Sequence, residues 1–224
     1  VTLTKTSVIM PSGIELTGLG DESRCMECHQ GRQSKVSVDA ALSEAAVEAD
    51  EVSEDLGFLN VHYYPAAATK YGTLAKGGYE YDGNTYDAFF AHVDGYEIAG
   101  MQEALYQGIQ AYANEVAGAP IVYDGGAYPY FFVDTDGDGA GDDRYATWTP
   151  RLLKAAYNYQ LSVKDPGQYA HGGKYIIQLL NDSLADLNSA IAEPVDMTAM
   201  NRIDAGHFAG SEEAFRHWDE DGAV

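Results

Sequence analysis

Cys25-Met26-Glu27-Cys28-His29 places two thiols two residues apart, with a histidine directly after the second. That is the spacing at which a porphyrin is held covalently. Each thiol adds to one vinyl group, so the two sulfurs must reach two positions on one side of the macrocycle. The residue that follows then stands under the iron, where an imidazole nitrogen can ligate it. These are the only two cysteines in the chain, so both are committed to one site. Three other readings compete. A redox or disulfide pair expects a βαβ setting, which the pattern around residues 15–45 does not offer. Half of a zinc site needs two further histidine or carboxylate ligands. The third reading is coincidence. The histidine and the absence of a second cysteine pair favour one covalent haem c, held by Cys25 and Cys28 with His29 as proximal ligand.

A second chemical signal is Asp134-Thr135-Asp136-Gly137-Asp138-Gly139. Aspartates at alternate positions with glycine at the sixth match the opening of a calcium loop. Asp134, Asp136 and Asp138 can turn three carboxylates onto one hard cation, and the carbonyl of Ala140 and the carboxylate of Asp142 can complete it. The twelfth position is Tyr145 rather than glutamate, so this is a shorter aspartate loop and not a full EF-hand. The alternative is a plain solvated turn. Five aspartates within ten residues repel one another unless a cation sits among them, which favours bound calcium.

The second axial position decides what such a haem does. A histidine or methionine there makes an electron-transfer centre, whereas an open position makes a peroxidase, oxidase or gas sensor. Histidines 62, 92, 171, 207 and 217 and methionines 10, 101, 197 and 200 are available. The methionines lie in segments that read as ordinary core or loop. His62 is the first choice, because it sits among Leu59, Val61, Tyr63 and Tyr64, close to the motif. His92, beside Phe89 and Phe90, is the second. A histidine among aromatics is more often a satisfied core residue than a ligand, and only the need of the iron raises these two.

The elements that must position these groups read as a mainly α, loop-rich fold with a small N-terminal β hairpin. Val8-Ile9-Met10 and Ile14-Glu15-Leu16 flank a Pro11-Ser12-Gly13 turn. A short helix is expected over the cysteine motif, ending near Gly31. A helix is expected over 38–55, capped by Ser37 or Asp39, and a short one at 66–68. Residues 71–96 are rich in glycine and aromatics and predict loops packed by their own rings. Helices follow at 97–116, 149–162 and 172–191, the first and last with apolar residues at helical spacing, and a short one near 211–218. Two apolar patches, 121–123 and 128–133, flank a Gly125-Gly126 turn. The natural division is a haem-binding region, 1–96, and a helical region carrying the acidic loop, 97–224, which can also form one continuous domain.

The 224 residues carry 35 acidic and 13 basic side chains, a formal charge of −22. Such a chain is repelled by nucleic acid and by anionic membranes. No apolar run is long enough to span a bilayer. Haem c is attached outside the cytoplasm, so the motif implies export to the periplasm or cell surface. A chain beginning at Val1 suits a mature protein whose leader is gone. Hydrolase, kinase and zinc-protease signatures are absent from the sequence.

As a set, CMECHQGRQS (25–34), NVHYYPAAATKYG (60–72), KGGYEYDGNTYDAFFAHV (76–93), YFFVDTDGDG (130–139), the segment 148–158 and RHWDEDG (216–222) resemble large multihaem c-type cytochromes, the exported outer-surface proteins of metal-respiring bacteria. The resemblance implies bis-histidine haem and electron transport, and it supports His62 as the distal ligand. Two departures stand out. Relatives follow the segment like 90–94 with further haem motifs, whereas here Gly95 runs into a helix, and relatives continue past the region like 216–218. The chain therefore reads as a member reduced to one haem, or as a piece of a longer one. His92, His207 and His217 then become idle residues or ligands to a haem of a neighbouring subunit. The expected function is one-electron transfer, with other cytochrome subunits or redox partners and with self-assembly into a haem chain or filament. The rival readings are a peroxidase-like enzyme with an open haem and a scaffold in which haem and calcium hold a small core.

Overall fold

The structure, a computed structural model, describes residues 5–62, 64–84, 86 and 95–197. It is mainly helical, with loops and a small antiparallel hairpin near the N-terminus. In that hairpin β1 (Ser7–Ile9) pairs with β2 (Glu15–Thr17) in the register Val8↔Leu16. The alternation puts Val8 and Leu16 in the core while Ile9 lies exposed. Gly13, at φ +83°, supplies the left-handed residue that the tight turn needs, and Ser12 Oγ donates to the Ala75 carbonyl at 2.7 Å.

Three long helices form the centre: α4 (Gly95–Tyr112), α5 (Pro150–Lys164) and α6 (Tyr169–Asn188). The last two serve two apolar clusters from different stripes. Leu152, Leu153 and Ala156 of α5 join Ile176, Leu180, Leu184 and Leu187 of α6 and Ile98, Leu105 and Ile109 of α4 in the larger cluster. Tyr157 and Leu161 of α5, with Tyr175 and Leu179 of α6, turn to the N-terminal hairpin, Met26, Val61, Ala67 and Ala68. The N-terminal part is thus fastened to the same two helices that organise the rest. A small sheet covers the larger cluster: β3 (Ile121–Tyr123), β4 (Phe131–Val133) and β5 (Asp143–Arg144), all antiparallel in the order β3-β4-β5.

The glycine-rich stretch after residue 71 forms turns, as expected, but helix side chains hold it as much as its own rings do. Tyr157 donates its hydroxyl to the Gly77 carbonyl at 2.6 Å. Asn158 accepts from the Tyr79 N–H at 2.7 Å and donates to the Tyr79 carbonyl at 2.9 Å. A side chain at Gly78 would stand 2.3 Å from Leu179 Cδ1, so this strap lies flat on the helices only as glycine.

Several boundaries differ from expectation. The helix expected over 38–55 is α2, Lys35–Ala45. It starts after Ser34, whose N–H donates to Ser37 Oγ at 3.2 Å, and it stops at Ala46, which turns left-handed at φ +50°. The helix at 97–116 ends as α-helix at Tyr112 and continues as one wider π turn, Ala113–Ala117. The helix expected from 172 begins at Tyr169, with a break in helical geometry at Gly172. The short helix near 211–218 lies outside the described residues.

Candidate haem site

The cysteine motif forms α1, Ser23–Cys28. Residues three apart share a helix face, and this places the motif: Ser23 and Met26 point inward, whereas Cys25 and Cys28 are both exposed on the opposite side. The inner face is anchored by Met26 in the core and by the Ser23 hydroxyl on the Lys5 carbonyl at 2.7 Å. An ion pair between Lys5 and Glu27 adds to this. His29 closes the helix, its N–H donating to the Cys25 carbonyl at 2.9 Å. Its own carbonyl accepts from the Ala67 N–H at 2.8 Å, which fixes the motif against the start of α3, Ala66–Tyr71.

One side of α1 borders a cavity of about 550 Å³, which reaches from the exposed Cys25 to the buried Met26. Cys25, Met26 and His29 form one wall, and Ala66, Ala67 and Lys70 of α3 form another. Tyr64 flanks His29 with ring centroids 5.8 Å apart. Pro166, from the turn between α5 and α6, and His171, in the first turn of α6, also line the cavity. At the rim Glu22 pairs with Lys70 at 2.7 Å. The hydrogen bond and charge of Lys70 hold the Glu22 carboxyl below its ordinary range. The cavity is of ligand size, mostly apolar, with a few polar groups at its edge.

These residues fit a covalent haem. Both thiols are exposed on α1, Cys25 and His29 line a cavity of about 550 Å³ bordered by small apolar side chains, and Cys28 is not among its lining residues. His171 completes the arrangement, and sequence reasoning assigned it no role. The usable signal was the preceding Asp165-Pro166-Gly167, a turn that folds a carboxylate back onto a histidine six residues on.

His62, the sequence choice for distal ligand, lies near this region but is not among the cavity-lining residues. Its backbone is left-handed, at φ +74°, and its N–H donates to Asn60 Oδ1 at 3.0 Å. Desolvation first, then the charges of Arg32 and Lys164, push its imidazole pKa down. Tyr64, two residues on, is also left-handed, at φ +49°. Two non-glycine residues held so close together in this sparsely populated region store backbone strain of about 1–3 kcal/mol each. His92, His207 and His217 lie outside the described residues.

The acidic loop joins β4 to β5. One carboxylate oxygen from each of Asp134, Asp136 and Asp138 lies within 4.8 Å of the others. The loop's own amides support this: Gly137 N–H donates to Asp134 Oδ1 at 2.9 Å, and Ala140 N–H to Asp138 Oδ1 at 2.7 Å. Asp142 is turned elsewhere. It accepts from the side chain and the N–H of Thr135, which together hold its pKa down.

No family model matches the chain, and no solved structure matches it. Curated proteins do. The chain is 24% identical over 262 aligned positions to the C-type polyheme cytochrome OmcB of Geobacter sulfurreducens, in both strain DL-1 / KN400 and strain ATCC 51573. The alignment covers 81% of this chain and 34% of that protein. It is also 24% identical to the C-type polyheme cytochrome OmcC of the same organism, over 71% of this chain and 29% of the relative. The chain is therefore related to polyheme c-type cytochromes and spans about a third of the length of these relatives. Among the described residues no helix is long and apolar enough to cross a membrane.

Proposed function

We propose that this chain carries single electrons through one covalent haem c, outside the cytoplasm. The observation that carries the reading is the exposure of both thiols on α1, with Cys25 and His29 lining a cavity of about 550 Å³. Likeness to polyheme c-type cytochromes supports it. When bound, the haem supplies a one-electron iron couple. The chain's own part is to anchor it at Cys25 and Cys28 and to present His29 to one face of the iron. It also surrounds the ring with Met26, Ala66 and Ala67, which excludes water and tunes the potential. Tyr64, 50% exposed at the mouth of the cavity, marks where a porphyrin edge comes near solvent and where a partner haem can approach. Two described histidines besides His29, His62 and His171, belong to this part of the molecule and compete for the second axial position.

The test is the visible and electron paramagnetic spectrum of protein matured with haem c. A six-coordinate low-spin ferric haem that does not react with cyanide or peroxide fits electron transfer; a high-spin haem that reacts with peroxide sinks the reading in favour of an enzyme. Assembly with other cytochromes, including copies of itself, follows from the exposed edge. Electron microscopy that finds only monomers, or assemblies with haems never closer than roughly 20 Å, rules against a wire. We also propose calcium at Asp134, Asp136 and Asp138, on the chemistry of alternating carboxylates.

A further inference from the structure

We propose that His171 is the second axial ligand, held for that task by Asp165. The inference rests on the haem reading above and names the residue that faces His29.

His29 and His171 line the same cavity from walls far apart in the chain. The Nδ1 of His171 lies 2.6 Å from Asp165 Oδ1. Asp165 is 1% exposed, and its carboxylate is held on every side. Its second oxygen accepts from Thr69 Oγ1 at 2.5 Å, and the Gly167 N–H donates to the first at 2.9 Å. A buried carboxylate is costly unless bonded in this way. Here it serves as the acceptor for the Nδ1 proton, which leaves the Nε2 lone pair for a metal. This is how ligating histidines are commonly oriented: a carboxylate on one ring nitrogen fixes the tautomer and raises the donor strength of the other.

The backbone is shaped to permit this. A side-chain carbon at Gly167 would stand 2.1 Å from His171 Cε1, so only glycine lets the ring lie where it does. A carbon at Gly172 would stand 1.9 Å from the Thr69 carbonyl. Glycine there lets α6 close against α3 and delivers the histidine beside Ala67 and Lys70. A chain needing only an ordinary turn between two helices has no use for two such glycines, a buried aspartate and a threonine bonded to it. His62 is not among the residues that line the cavity.

The experiment uses the full chain matured with haem c. The His171→Ala variant should turn the ferric haem from low-spin to high-spin, open it to cyanide, and return it to low spin when free imidazole is added. His171→Gln, whose amide can still reach Asp165, should behave the same way; a merely structural histidine would leave the spin state alone in both. His62→Ala should stay low-spin. Asp165→Asn should remain low-spin but raise the midpoint potential, since an imidazole bonded to a neutral amide donates less to iron. If His171→Ala and His171→Gln both stay low-spin, or if His62→Ala alone turns high-spin, His171 is not the ligand and the haem reading stands. A high-spin wild type with covalent haem overturns the assignment and, if it reacts with peroxide, the electron-transfer reading too, while haem attachment stands. A wild type carrying no covalent haem overturns the haem reading itself.

Discussion

The proposed haem cavity and the acidic loop both gather side chains able to ligate a metal, and they do it in opposite ways. In the loop, every donor lies within a few residues, Asp136 and Asp138 are exposed and Asp134 is half-buried, and the loop's own amides orient the carboxylates. In the cavity, His29 and His171 come from distant parts of the chain. The second is oriented by a buried carboxylate that is itself fixed by α3. A local site can form whenever its loop forms. A site assembled across the fold exists only when three helices are docked. Its geometry should therefore be rigid, and it should fail as a unit.

That contrast can be broken at several points. Replacing Cys25 and Cys28 together with alanine should abolish covalent haem, measured as loss of one haem mass from the denatured protein, while calcium binding at the loop persists. The Gly172→Ala variant should lower stability by about 3 kcal/mol in urea titration, because the new methyl meets backbone rather than a yielding side chain. It should also disturb the haem spectrum, whereas an equal loss of stability made elsewhere should not.

Asp182 provides a control for buried carboxylates. It is 4% exposed, bonded by Tyr86 and by Gln178, and burial pushes its pKa up to about 6. The folded pKa is above the unfolded one, so the folded chain binds the extra proton between about pH 4 and 6. Stability attributable to this group is therefore full below about pH 4 and falls as pH rises through 6, by roughly 2–3 kcal/mol. Asp182→Asn should flatten that part of the stability profile and leave the haem spectrum unchanged. A spectrum that follows Asp182 would mean the two regions are not separable. The smallest effect is expected at the loop. Millimolar calcium should stabilise the wild type by about 1–2 kcal/mol in thermal unfolding, and the Asp134→Asn/Asp136→Asn double variant should lose that gain.

Legibility in the sequence followed the same division between local and distant. The cysteine motif, the hairpin turn at Pro11-Ser12-Gly13 and the apolar stripe of α6 are local patterns, and each appears where expected. The helix over 38–55 was overextended because its apolar face is weak. Past Ala46 the chain gains more from distant contacts, such as the Ser53 N–H on the Trp148 carbonyl at 3.0 Å, than from another helical turn. His171 has only Ala170 and Gly172 as immediate neighbours, so nothing beside it in the sequence marks it as a ligand. What makes it notable is Asp165 and Thr69, and the latter is 96 residues from that aspartate in the chain. His62 drew attention for its apolar sequence neighbours, a cue that says a residue is near a core but not which cavity its ring meets.

Met26 ties the six-residue α1 to the cluster that α5 and α6 share with the N-terminal hairpin, and Lys5 holds the helix through Ser23 and Glu27. The two thiols of the same helix are exposed. If they anchor a porphyrin as proposed, the anchors are reachable in the folded chain and welding needs no opening of the core.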